Sequence, residues 1–434
     1  MNNKTKARDL ALTPVALEGR QKWYVPAVIF AGLEFAIPVM IVGSTLITGM
    51  SLNKLILVLL AAMAIQWVGN ALQGYMGAKT GYSSTVISRD SMGVVQSRVV
   101  LGLMVGFFTV GWGALQTEIA GNAICALFGI DYEANRVIWA IATITIGMSF
   151  AIPAIMGYES MKWADIVAVP AGLILIVTSL YMGIREIGIE KIVNWQPQEE
   201  IPFISGISMI IGLNVAQWLI ASDYTRYSKP KFLDQALIPF GIICVGIPLL
   251  LIGAVMSVGI GQADIVQVMI ELKFPHWGYL ILVLAVWTSL LVNSYSMGLA
   301  ASNTFNIHSA RGRAWMTFWG TLVVVSFALV GVIKHFIDYL YFLSVALPPI
   351  VGVMFANFYL LKRINLSVDK QGKWNIAATI AIIAGCIVGS LTHYRYEIGI
   401  VPIQSLATSS IIYVIAMKYR LYMKKYSRNR IEKN

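Results

Sequence analysis

The sequence predicts an all-α membrane protein of twelve transmembrane helices, and three observations carry that prediction. Of its 434 residues, 58% are hydrophobic and only 12% are Asp, Glu, Lys or Arg, and the mean hydropathy is +0.73. A soluble domain carries about 25% charged residues, and half that share cannot coat a water-facing surface. Second, twelve apolar runs reach the roughly 18 residues that a helix needs to cross a bilayer. Third, the 32 Lys and Arg residues fall on alternate sides of those runs in a ratio of 25 to 7.

In chain order, the polar segment 1–23 (MNNKTKARDLALTPVALEGRQKW) precedes the first run and does not read as a cleavable leader. The five runs 24–48, 54–77, 99–128, 137–156 and 163–184 form a first unit over residues 24–184. A linker of mixed charge, 185–202, joins it to a second unit over 203–361, with runs at 203–222, 233–259, 277–302, 314–333 and 338–361. Two further runs, 375–392 and 400–420, occupy residues 362–420, and a basic tail, 421–434, ends the chain. Cytoplasmic loops carry the Lys and Arg excess. Both termini are therefore expected on the cytoplasmic side, in the cytoplasmic membrane of a bacterium. Topology thus accounts for the net charge of +11, and nucleic acid is not an expected partner, whereas the lipid bilayer is.

The linker lies midway through the first ten runs, where one repeat of five helices would join another. Run 1 carries GLEFAIPVMIVG and run 6 carries SGISMIIGLNVAQW. Gly and Pro at matching places in two halves point to discontinuous helices around a central site. Cys125, Cys244 and Cys386 all sit in apolar runs without a paired framework and read as buried thiols.

A polar group inside a membrane span is costly and therefore a functional candidate. Glu34 lies mid-run beside Pro38, and Glu118 lies in run 3; a proton or cation pathway and a structural acid are both open readings for each. Trp112 and Gln116, four apart, share one helical face. An indole plate beside a primary amide suits a flat, hydrogen-bonding heterocycle. Run 8 places Thr288 next to Ser289, and paired hydroxyls near broken-helix carbonyls suit a sodium ion. Asn293, Ser294 and Asn303 add polar groups to the same run, and Asp223 and Arg226 are spaced to pair at the end of run 6. The four His residues are scattered, and there is no GxxxxGK[ST] loop. Twelve spans without a nucleotide motif read as an ion-coupled secondary transporter with no cofactor and no enzymatic activity.

Five segments occur in one order: YMGAKTGYSSTVISRDSMG, VGWGALQ, SDYTRY, AVWTSLLVNSYSMGL and FLSVALPPIVGVMFANFYL. Together they resemble the nucleobase:cation symporter family of purine–cytosine permeases and hydantoin and allantoin transporters. The resemblance implies the LeuT-type five-plus-five inverted repeat with two accessory helices, working as a monomer. It implies a substrate plate at Trp112, an amide reader at Gln116, and a second substrate-reading position at Asn293 or Ser294. The family's second stacking aromatic falls on Asn214, a departure from the pattern, with Trp218 one turn later as a substitute. Sodium would be held by the hydroxyls of Thr288 and Ser289 and the carbonyls of Gly32, Phe35 and Ala285. Glu34 stands between two of those carbonyls in place of a small or neutral residue, so proton coupling stays open beside sodium. The expected cargo is cytosine or a purine, with hydantoin, allantoin or a hydroxymethyl-pyrimidine as alternatives; a non-transporting membrane sensor is the reading from another class.

The orientation is testable directly. In a background without native cysteines, an impermeant maleimide added to intact cells should label Glu199→Cys in the linker and leave Ser427→Cys in the tail unlabelled. The reverse pattern would overturn the assignment.

Overall fold

The computed structural model describes residues 11–197, 199–260, 276–332, 335–362, 372–396 and 398–431. Among the described residues, ten helices are long and apolar enough to cross a membrane, and one bent pair makes eleven. The 30-residue helix Tyr158–Ile187 covers the fifth predicted run. The first ten residues and the last three lie outside the described residues.

The first run is two helices, α1 (Tyr24–Glu34) and α2 (Ile37–Thr48), meeting at 59°. Pro38 explains the break. It has no N–H to give the carbonyl of Glu34, and its ring would collide with that carbonyl in a continuous helix. Phe35 (ψ 73°) and Ala36 (φ −131°, ψ 130°) leave the helical region, and the Glu34 carbonyl accepts from the Ala36 N–H at 2.6 Å instead.

The corresponding expectation for run 6 fails: α9, Phe203–Thr225 once the intervening helices are numbered, is one continuous helix. Run 6 has Gly206 and Gly212 but no proline, and a glycine costs a helix only about 1 kcal/mol. Both glycines serve close packing instead. A Cβ on Gly206 would meet Met50 at 2.4 Å, and one on Gly212 would meet Ser344 at 3.2 Å.

Between α2 and α9 lie α3 (Leu52–Thr80), the short α4 (Ser84–Met92), α5 (Gly102–Leu127), α6 (Arg136–Phe150), α7 (Ile152–Met156) and α8 (Tyr158–Ile187). After α9 come α10 (Phe240–Ile260), α11 (His276–Thr304), α12 (Ala310–Val330), α13 (Phe336–Ala346), α14 (Pro348–Phe355), α15 (Ile376–Leu391) and α16 (Val401–Ile431). The expected basic tail is therefore helical through Ile431, continuing the last span rather than following it. The pairs α3–α9, α5–α11, α2–α10 and α15–α16 form the most extensive interfaces, and α1 packs on α10, α11 and α8.

Residues 11–23 are not a free leader. The Val15 N–H donates to the Gly81 carbonyl at 2.9 Å, and the Gln21 N–H donates to the Tyr227 carbonyl at 2.6 Å, tying the segment to the ends of α3 and α9. Of the three cysteines read as buried, Cys125 is buried, Cys386 is intermediate and Cys244 is exposed on the outside of α10. Hydropathy alone does not separate a side chain facing lipid from one facing protein, because both surroundings are apolar.

The α2–α10 crossing fixes the outer half of the broken span. A Cβ on Gly43 would stand 1.9 Å from the Leu250 carbonyl oxygen, and one on Gly253 would stand 1.9 Å from that of Met40. Because backbone would have to move, Gly253→Ala should destabilise by about 1–3 kcal/mol. Thermal unfolding of purified protein checks this. Gly106→Ala, which meets nothing within 4 Å, should show no loss.

Candidate substrate and cation site

The break in the first span, the middle of α5, the middle of α9 and the middle of α11 converge on a small cavity of about 20 Å³. Its walls include Glu34, Phe108, Trp112, Asn214, Gln217, Ser289 and Asn293. About one water needs 10–15 Å³, so the side chains are closed around the site, and a heterocycle enters only when helices move apart.

Trp112 is buried on α5. Its ring meets Phe336 edge-on (5.9 Å, 71°) and Tyr339 edge-on (6.4 Å, 80°), both from α13. The Tyr339 hydroxyl in turn donates to the Phe108 carbonyl at 2.6 Å. Such edge contacts hold the indole in one orientation.

Ser289 is the hub of the polar wall. Its hydroxyl donates to the Leu33 carbonyl at 2.9 Å and accepts from Gln116 Nε2 at 2.8 Å. Its own carbonyl accepts from Asn293 Nδ2 at 2.9 Å. These bonds settle which end of each amide is which, because a carbonyl or an already-donating hydroxyl can only accept. Gln116 Oε1 and Asn293 Oδ1 remain as buried acceptors with no donor among the described residues.

Thr288 Oγ1 donates to the Gly32 carbonyl at 2.7 Å. The adjacent hydroxyls of α11 thus meet the last carbonyls of α1, just before the break. The serine meets Leu33, which the sequence did not suggest as a partner, and Phe35 lies at the break itself. Ala285 lies one turn before the hydroxyl pair in α11. The donor set of carbonyl and hydroxyl oxygens fits a hard cation, which takes oxygen ligands; Gly32, Phe35, Ala285, Thr288 and Ser289 would hold it.

Glu34 is 1% exposed. Its Oε1 accepts from Asn214 Nδ2 at 3.2 Å and its Oε2 from Gln217 Nε2 at 2.6 Å. Gln66 of α3 donates in turn to Gln217 Oε1 and to the Asn214 carbonyl, each at 2.9 Å. A Cβ on Gly246 would stand 2.6 Å from Glu34 Oε1, so α10 makes room for the carboxylate with a glycine.

Several predicted residues lie elsewhere. Trp218 does not line the cavity; its ring lies on Gly69, where a Cβ would meet Cε2 at 2.3 Å. Ser294 and Gln116 are buried but do not line the cavity either; Gln116 reaches it only through its bond to Ser289. Glu118 accepts from the Val332 N–H at 2.8 Å, bracing the turn after α12. Asn303 takes the Arg89 guanidinium, with Nε at 2.8 Å from Oδ1. Asp223 accepts from the Ser84 N–H and the Ser296 hydroxyl, each at 2.9 Å, while Arg226 donates to the hydroxyls of Tyr227 and Tyr295 at 2.9 and 2.8 Å. Sequence reasoning missed Phe108, Gln217 and Gln66. The signals were present: Gln217 follows Asn214 by three residues, and Gln66, Asn70 and Gln73 form a polar stripe along one face of run 2.

A profile of the family described as "Permease for cytosine/purines, uracil, thiamine, allantoin" matches residues 14–413. Cytosine permease of Escherichia coli (strain K12) is 24% identical over 412 residues, covering 93% of this chain and 92% of that protein. Allantoin permease of Bacillus subtilis (strain 168) is 25% identical over 369 residues, covering 76% of this chain and 73% of that one. In fold, the chain is similar to Mhp1, a nucleobase-cation-symport-1 family transporter, in a closed conformation with bromovinylhydantoin bound: TM-score 0.82, 16% identity, 94% of this chain and 95% of that one. It is also similar to a Na⁺-coupled sialic acid symporter in a substrate-bound outward-open state: TM-score 0.66, 14% identity, 95% and 92% coverage. The fold is therefore that of a membrane transporter and not of an enzyme, and the chain belongs to the family of permeases for cytosine, purines, uracil, thiamine and allantoin.

Proposed function

We propose that the protein imports a nucleobase or related flat heterocycle, with cytosine or a purine foremost, in symport with sodium by alternating access. It works as a monomer with both termini in the cytoplasm. The observation that carries this reading is a cavity walled by Trp112 and Asn293, where Asn293 Oδ1, like Gln116 Oε1 one turn along from Trp112, has no donor among the described residues. Gln116 Oε1 and Asn293 Oδ1 are buried where an unmet hydrogen bond costs about 1–3 kcal/mol each. A ring stacked on the indole and donating N–H groups to both oxygens removes that cost. Cytosine permease among the relatives and a hydantoin-bound fold neighbour accord with such a ligand.

Sodium is the coupling ion in this reading. The oxygens of Thr288 and Ser289 stand beside the carbonyls freed by the break, a site that needs no titratable side chain. A bound cation there joins α1 to α11 and favours the state in which substrate binds; that differential is what coupling requires. The sialic acid symporter with the same fold is Na⁺-coupled.

Trp112→Ala should weaken binding of the transported base by about ten- to a hundredfold, since an aromatic stack with its apolar contact contributes about 1–3 kcal/mol. Thermal-shift titration of the purified variant measures this, and unchanged affinity would remove Trp112 from the site. For the cation, Thr288→Ala should raise the sodium concentration for half-maximal substrate binding severalfold at fixed pH. Ser289→Ala should do so too and also weaken substrate binding at saturating sodium, because it releases Gln116. Substrate binding by the unaltered protein that ignores sodium and follows pH would replace sodium with a proton as the driving ion.

A further inference from the structure

Glu34 has no counterpart in the sodium site's chemistry of neutral oxygens, yet it lines the same cavity as Trp112, Ser289 and Asn293. Among the described residues its partners are two side-chain amides and no cation. Both of its oxygens act as acceptors in these bonds. An anion inside a bilayer needs donors or a positive group to offset its desolvation.

The unpaired side-chain atoms of Gln116 and Asn293 are oxygens, not donors. The amide nitrogens of Gln116, Asn293, Asn214 and Gln217 are all turned to protein oxygens: Ser289 Oγ, the Ser289 carbonyl, Glu34 Oε1 and Glu34 Oε2. The unpaired atoms among them are acceptors, Gln116 Oε1 and Asn293 Oδ1, beside the outer lone pairs of Glu34 on the cavity wall. Asn214 and Gln217, backed by Gln66, hold the carboxylate in one plane, and Gly246 leaves it room.

We propose that Glu34 is a specificity-determining residue that selects heterocycles bearing an exocyclic amino group. The inference rests on the reading of this cavity as the substrate site. An amino group, alone or beside a ring N–H, gives the carboxylate the donors it lacks; a carboxylate and an N–H pair make a charge-assisted, two-point contact. An oxo group in the same place sets lone pairs against the anion and leaves it with only its two amide donors. Sites built to pair a polar group discriminate strongly against the analogue that leaves it unpaired. Asn214 acts as a positioning residue: where relatives place a stacking aromatic, this chain places an amide that orients Glu34.

The test uses the full-length purified protein at saturating sodium and needs no variant for its first arm. Affinities are measured for two pairs of bases, cytosine against uracil and guanine against hypoxanthine, where each pair differs at an amino group. The amino-bearing member should bind at least tenfold tighter in both pairs. In Glu34→Gln the preference should collapse toward unity because the amino-bearing members lose affinity. Equal affinity within both pairs in the unaltered protein overturns the inference while leaving the transport reading intact. A loss in Glu34→Gln that is shared equally by all four bases also overturns it, and marks the carboxylate as a cation or packing group. Absence of binding by any base overturns the transport reading and the inference together.

Discussion

Everything in the central site depends on one missing hydrogen-bond donor. Pro38 cannot supply an N–H to the carbonyl of Glu34, so the first span stops at Glu34 and restarts at Ile37. Carbonyls near a helix end have no partner one turn ahead, and in a membrane they must find one. Those of Gly32 and Leu33 are met by the hydroxyls of Thr288 and Ser289, which tie the break to α11. The same break turns the Glu34 side chain toward α9 rather than along a continuous helix. The glycine-mediated crossing of α2 on α10 then keeps the outer half-helix at its angle.

From that point order propagates through hydrogen bonds with only one workable direction. Ser289 donates to a carbonyl, so it must accept from Gln116, so the amide oxygen of Gln116 is left without a donor among the described residues. The Ser289 carbonyl fixes Asn293 in the same way. Fixing donors and acceptors before a ligand arrives reduces the ordering that binding requires. A buried polar network of this kind stabilises only when every member is satisfied. Here Gln116 Oε1 and Asn293 Oδ1 have no donor among the described residues, which is what the proposed substrate would supply.

Two sets of contacts brace the helices that carry the cavity. On one side α13 lays Phe336 and Tyr339 against Trp112. On the other, at the end of α9, Tyr158 stacks on Tyr227 at 3.7 Å, Arg226 bonds the hydroxyls of Tyr227 and Tyr295, and Gln21 of the N-terminal segment pairs with the Tyr227 carbonyl and with Glu159. These contacts join α9 to α8 and α11. Alternating access requires one set to part while the other holds. A cation and a substrate shift that balance only by what they gain in one state over the other.

Much of this was legible in the chain itself. Hydropathy and charge located the spans and their order, because a bilayer demands about twenty apolar residues wherever a helix crosses it. Pro38 announced the broken span, and Thr288, Ser289, Trp112 and Gln116 stood out as polar or planar groups in apolar runs. The sequence misjudged run 6, since glycine permits a break without requiring one, and the packing around Gly206 and Gly212 kept α9 continuous. It misjudged Trp218 because spacing along one helix does not say which neighbour a face meets; Gly69 on α3, a distant segment, opened the space that took the ring. It also left Glu34 between several roles, and could not see that Asn214, Gln217 and Gly246 surround its carboxylate. Local chemistry along a chain sets which groups must be satisfied within a membrane. Which partners satisfy them is decided only when helices far apart in sequence are packed side by side.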